Sequence, residues 1–287
     1  MHWGAPVFTE FDLTDGPVPL HVTAGPANGP PLVMLHGVGR RGIDFLPLVP
    51  ALATRWHLHL IDHRGHGGSG RTPGKYRVVD HVEDALTVLS WLGRPAVLFG
   101  HSLGALVAAG TAAARSELVQ AVVLEDPPSA GFLERLLQTG YYATFQAMRR
   151  LAGSHRPVAE VARELGDTLV PTPNGPVKLS TLRDGCALRF IARCLQDVDG
   201  EVFGPALEGE WMSGYDERAM WRAVTCPALL LRGDPAAGGM LPQDDADRMS
   251  LEMPDLTRID LPSVGHLIHS TAAELTVRHV LSFLESI

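Results

Sequence analysis

Two spacings of apolar residues alternate along this chain. Short, nearly unbroken apolar runs at Pro31–His36, Ala121–Asp126 and Ala228–Gly233 read as strands buried on both faces of a parallel sheet. His57–Asp62, the run beginning at Ala96 and Leu256–Leu261 read the same way. Between them the spacing turns helical. The clearest case is Val78–Leu92, which puts Val78, Val82, Ala85, Leu89 and Leu92 on one face. Helical spacing at Ile43–Ala53 is limited by Pro47 and Pro50, and a last helix is predicted from about Ala272 to Leu284. Near the start, Val7–Leu13 and Val18–Thr23 alternate around Thr14-Asp15-Gly16-Pro17, the pattern of an antiparallel hairpin. Strands alternating with helices predict an α/β fold with a mostly parallel, doubly wound sheet.

One interval departs from this rhythm. Between Asp126 and Ala228, about a hundred residues pass without a convincing buried strand. Helical periodicity appears near Phe132–Leu151, Val158–Leu169 and Leu179–Leu195, with turn residues at Pro171–Pro176. The interval reads as a helical cap inserted after the fourth central parallel strand. The expected division is a core of residues 1–127 and 224–287, with a cap at 128–223.

Ligand sites in such sheets gather at the carboxyl ends of the strands. His36, Asp62, Ser102, Asp126 and Asp234 all fall at predicted strand ends. The most informative of these is AVLFGHSLGALVA, Ala96–Ala108. An apolar run enters a turn in which Gly100 and Gly104 flank Ser102, and small residues at helical spacing follow. This is the G-x-S-x-G nucleophile elbow: the turn lifts a serine above the sheet in strained backbone, where neighbouring side chains would collide. A serine nucleophile needs a base and donors for the oxyanion. His266, which follows the last strand through Gly265, is the candidate base; His269, three residues on, falls inside the next helix. The candidate donors are the backbone N–H groups of Leu103 and of Val38, in His36-Gly37-Val38-Gly39.

Bulk properties narrow the class further. The 287 residues are 45% apolar and 20% charged, an ordinary globular balance. A net charge of −8 without basic runs argues against nucleic acid or an anionic membrane as partner. No apolar stretch is long enough to span a bilayer, and MHWGAPVFTEFDL lacks the features of a secretory leader, so a cytoplasmic protein is expected. Cys186, Cys194 and Cys226 form no C-x-x-C pair and read as reduced, mostly buried thiols. His57, His59, His63 and His66 lack a ligand framework, so no metal is expected. Gly70–Lys75 is one residue short of a phosphate loop. Arg40 and Arg41 read as solvated surface beside the Val38 loop, with contact to an anionic substrate as the alternative.

HGVG, DHRGHGGSG, GHSLGA and the late SVGH resemble, in this order, the α/β-hydrolase fold superfamily, over nearly the whole chain. The resemblance implies a triad of serine, histidine and acid, without cofactor or metal. Relatives usually carry the acid in Gly-x-x-Asp after the strand matching Ala228–Gly233, but here Ala236 occupies that place. Asp234 stands two residues early and Asp244 well beyond. Some relatives instead carry the acid at the end of the preceding core strand, where this chain has Asp126, adjacent to Glu125. Strand alternation sends those two side chains to opposite faces, so one of them reaches His266. The expected enzyme is a serine hydrolase cleaving a carboxylic ester or lactone, with Ser102, His266 and Asp126 as its triad. Its substrate would be a small or medium apolar molecule, and a homodimer is left open. Carbon–carbon bond hydrolysis, perhydrolysis on the same residues, or a non-catalytic ligand-binding protein are the other readings. Phe132, Tyr141, Tyr142 and Phe145 are candidate pocket aromatics.

Overall fold

The computed structural model describes residues 8–172 and 174–287. Val7, where the predicted hairpin begins, and Pro173, within the predicted turn, lie outside the described residues. The strands are β1 (Thr9–Leu13), β2 (Leu20–Ala24), β3 (Pro31–Leu35), β4 (His57–Ile61), β5 (Ala96–His101), β6 (Val119–Glu125), the short β7 (Leu169–Val170) and β8 (Val177–Lys178), β9 (Ala228–Gly233) and β10 (Leu256–Leu261). Eight of them form one sheet in the order β1-β2-β4-β3-β5-β6-β9-β10. β1 pairs antiparallel with β2, and β2 with β4; every other pairing in that sheet is parallel. This is the doubly wound α/β sheet that the apolar runs predict.

The apolar runs become central strands because both faces are covered. β3, β5 and β9 are buried at every position, while the edge strand β10 is largely half-exposed. One face packs against the helices Val78–Leu92 and Leu103–Ala114, and the other against Val49–Leu52 and Ala273–Leu284. The Val78–Leu92 helix ends at Gly93, whose φ of +65° closes it with a left-handed cap.

Residues between β6 and β9 fold mainly as helices, in shorter pieces than the periodicity suggests. The Phe132–Leu151 stretch divides into Ala130–Glu134, a 3₁₀ turn and Gly140–Leu151. Leu169 leaves its helix to start the short antiparallel pair β7–β8, in which Leu169 faces Lys178 and Val170 faces Val177. This insertion packs onto the strand ends. A Cβ on Gly39 would lie 2.4 Å from Met148 Cε, and one on Gly65 would lie 2.6 Å from Val202 Cγ1. Among the described residues no helix is long and apolar enough to cross a membrane.

Candidate active site

Ser102 sits between β5 and the helix Leu103–Ala114 with φ +54° and ψ −116°. Its backbone N–H donates to Glu125 O at 2.9 Å, tying the turn to the neighbouring strand end. Glycine is required on both sides for lack of space. A Cβ on Gly100 would stand 2.0 Å from Gly104 O, and a Cβ on Gly104 would stand 1.9 Å from Leu35 O. The turn is therefore as tight as the G-x-S-x-G pattern predicts.

Asp126 follows β6 directly, with φ +44°, another backbone strain outside glycine. Its buried carboxylate accepts N–H bonds from Gly233 (3.0 Å) and Met240 (2.8 Å). The remaining contact is His266 Nδ1, at 2.7 Å from Asp126 Oδ2. Donation from Nδ1 leaves Nε2 with a free lone pair, the tautomer a general base needs. Ser102 and His266 line one cavity, although no hydrogen bond closes between the serine hydroxyl and the ring; such contacts often tighten only when substrate is bound. Asp234 is occupied elsewhere: it caps the turn at Ala236 (2.9 Å) and accepts from Ser263 N–H (3.0 Å).

The loop after β3 carries Val38, whose N–H has no acceptor among the described residues. Leu103 N–H, at the first position of its helix, is likewise without one, as helix starts leave it. Two histidines fix the loop from behind. His36 donates from Nδ1 to Gly37 O (2.7 Å) and accepts His63 N–H on Nε2 (3.0 Å). His66 donates to Arg64 O (2.9 Å) and accepts Gly39 N–H (3.0 Å). Burial holds His36 and His63 well below the ordinary imidazole value and brings His66 to about 4, so these rings are neutral struts.

Glu125 and Asp126 do point apart. Glu125 Oε1 accepts from both the backbone N–H of His269 (2.9 Å) and its Nδ1 (2.8 Å). His269 Nε2 lies 3.3 Å from Asp44, which forms a two-pronged pair with Arg40 at 2.6 and 2.8 Å. All four residues are buried. Burial alone would push His269 down, but the flanking carboxylates of Glu125 and Asp44 raise it to about 10. Arg40 is thus not solvated surface: it is internal, and Phe190 covers its guanidinium at 4.9 Å. His101 lies between the two histidine rings, 4.6 Å from His266 and 4.9 Å from His269. His101, Glu125 and His269 bring possible ligand atoms within 4.8 Å of one another. A metal there would have to displace the proton that His269 shares with its carboxylates.

Between this strand end and the insertion lies a cavity of about 70 Å³, whose walls include Val38, Ser102, Tyr141, Phe145, Arg183 and His266. Of the four aromatic candidates, Tyr141 and Phe145 reach it. Phe132 packs behind, 5.9 Å from Tyr141, and Tyr142 faces a separate hollow of about 460 Å³ that touches none of Ser102, Asp126 or His266. The smaller cavity is the one that Ser102 and His266 line. The Tyr141 ring stands edge-on to His266 at 5.7 Å, and its hydroxyl donates to Gly238 O (2.5 Å). Cys194 and Cys226 are buried free thiols, whereas Cys186 is exposed.

The chain matches the alpha/beta hydrolase fold family over residues 30–185 and belongs to it. It is 27% identical over 268 residues to the 2-(acetamidomethylene)succinate hydrolase of Mesorhizobium japonicum, covering 90% of this chain and 89% of that one. A solved structure of an E-2-(acetamidomethylene)succinate hydrolase superimposes with a TM-score of 0.77 at 23% identity, over 97% of this chain and all of the other. The magnesium-chelatase 30 kDa subunit of Rhodobacter capsulatus is 27% identical over 92% of this chain and 90% of its own length. The pimeloyl-[acyl-carrier protein] methyl ester esterase of Chromobacterium violaceum is 29% identical over 90% of this chain and 95% of its own.

Proposed function

We propose that the protein is a serine hydrolase cleaving a carboxylic ester or lactone through an acyl-enzyme on Ser102. The observation that carries this reading is the buried Asp126–His266 pair, whose imidazole lines the same cavity as the elbow serine. As Ser102 Oγ bonds to the acyl carbon, its proton passes to His266 Nε2, and Asp126 stabilises the resulting imidazolium. The N–H groups of Val38 and Leu103 receive the tetrahedral oxyanion; removing one such donor costs about a hundredfold or more. The alcohol leaves with the proton from His266. Water, deprotonated by the same ring, then releases the acid and restores Ser102. Residues 128–223 serve as a cap, and the small apolar cavity beneath them suits a small acyl group. The similarity to a methyl ester esterase and to a succinate-derivative hydrolase supports acyl transfer to water.

A fluorophosphonate probe and p-nitrophenyl acetate test this reading. Wild-type protein should be labelled at Ser102 and turn over the ester, and Ser102→Ala should lose labelling and about 10³-fold or more in kcat. Unlabelled wild-type protein, or ester turnover that persists in Ser102→Ala, would overturn it.

A further inference from the structure

We infer that Arg183 is the receptor for a free carboxylate on the substrate, so that the ester or lactone cleaved at Ser102 carries an acid group elsewhere on the molecule. The inference rests on the reading of Ser102 as the nucleophile. Its own ground is the charge of the cavity. Two cations line this otherwise mainly apolar space, Arg40 and Arg183, and no carboxylate lines it among the described residues. Arg40 is already matched by the two oxygens of Asp44. Arg183 has no carboxylate within 4.0 Å among the described residues; its guanidinium makes a long hydrogen bond, 3.4 Å, to Leu182 O and lies beside the neutral Tyr141 hydroxyl.

The position of Arg183 is built rather than incidental. Its backbone N–H is fixed to Leu179 O at 3.0 Å. The acid beside it, Asp184, is committed to the next helix, where it accepts Ala187 N–H at 2.9 Å. The guanidinium reaches the Tyr141 hydroxyl closely enough to counter part of the upward push that burial exerts on that phenol. Tyr141 in turn stands edge-on to His266. A half-buried guanidinium thus lies about one tyrosine side chain from the base, in a space with no counter-charge. A planar carboxylate fits the fork of a guanidinium through two parallel N–H bonds, and such charge-assisted bonds are worth most where water is thin. The cavity walls otherwise take a short aliphatic linker. The substrate class is therefore a short-chain monoester or lactone of an acid with a second, free carboxylate.

The test compares monomethyl glutarate with methyl pentanoate, esters with the same five-carbon acyl chain that differ in whether its last carbon is a carboxylate or a methyl group. Wild-type protein should favour the monoester by about thirtyfold in kcat/KM, mainly through KM, as expected for a charged hydrogen-bonded pair. Arg183→Gln should bring that ratio to within about threefold of unity, and Arg183→Lys should recover part of it. Wild-type protein that hydrolyses both esters with equal kcat/KM, or an Arg183→Gln variant that keeps the ratio, overturns the role of Arg183 and leaves Ser102 untouched. A calorimetric arm separates the two readings. Ser102→Ala should bind monomethyl glutarate at least about tenfold more tightly than Ser102→Ala/Arg183→Gln. If neither ester is hydrolysed by wild-type protein while this difference holds, the hydrolase reading fails and the carboxylate receptor stands.

Discussion

The Asp126 carboxylate takes Gly233 N–H, Met240 N–H and His266 Nδ1 at 3.0, 2.8 and 2.7 Å, while Asp234 spends its oxygens on two turn amides. An amide at position 126 turns a donor toward groups that are themselves donors and no longer holds the His266 tautomer. Asp126→Asn is therefore expected to lower kcat about 10³- to 10⁴-fold, with folded protein retained by circular dichroism. Asp234→Asn should stay within about twofold of wild type. Steady-state kinetics with a p-nitrophenyl ester decides, and full activity in Asp126→Asn would remove the assignment. The sequence supplied Asp126 as a candidate from its place at a strand end. What singles it out is the pair of amides that converge on it, 107 and 114 residues away along the chain, and no local spacing announces such contacts.

At the level of elements, the Glu125–His269–Asp44–Arg40 series joins three segments that each carry part of the proposed site. Arg40 and Asp44 belong to the loop of Val38, Glu125 to the strand end of Asp126, and His269 to the turn after His266. The protonated His269 ring faces Glu125 and Asp44, with the Arg40 guanidinium beyond Asp44 and the neutral His101 ring alongside. In the unfolded chain a histidine loses its proton near 6.5, whereas in the folded protein it holds it to about 10. The folded state thus binds the extra proton, so this contribution is complete below about pH 6.5 and is lost as pH rises toward 10. Urea titrations should show the wild-type midpoint falling between pH 7 and 10, with about one proton released on unfolding. His269→Gln should lack that slope and be less stable at pH 7 by about 3–5 kcal/mol, as for a broken buried ion pair. Equal slopes in the two proteins would refute it. None of this series was legible in the sequence, where Arg40 reads as surface and Glu125 as a rival acid. Val78–Leu92, by contrast, was legible to the residue, because its apolar stripe is regular and one-sided. The helix Gln243–Glu252 escaped because so little of it is buried: its internal face is Asp245, Ala246 and Met249.

Across the whole molecule, the sheet is sandwiched between two apolar layers, and nearly every strand run of the sequence found its place in it. The strained backbone within this well-packed body is confined: among the described residues, positive φ outside glycine occurs at Ser102, Asp126 and Ser263. Two of the three belong to the proposed machinery, so stability and chemistry oppose each other at those positions. Such a conformation costs about 1–3 kcal/mol in a residue with a Cβ, and glycine is largely relieved of it. Ser102→Gly should therefore melt about 2–6 °C above the wild-type protein by calorimetry, while Ser102→Ala, which keeps the Cβ, should not. A melting temperature for Ser102→Gly at or below that of Ser102→Ala would show that the turn is relaxed. The fold, left to itself, would settle more deeply around an inert residue; holding a serine at the bend keeps the whole protein slightly short of its own thermal optimum.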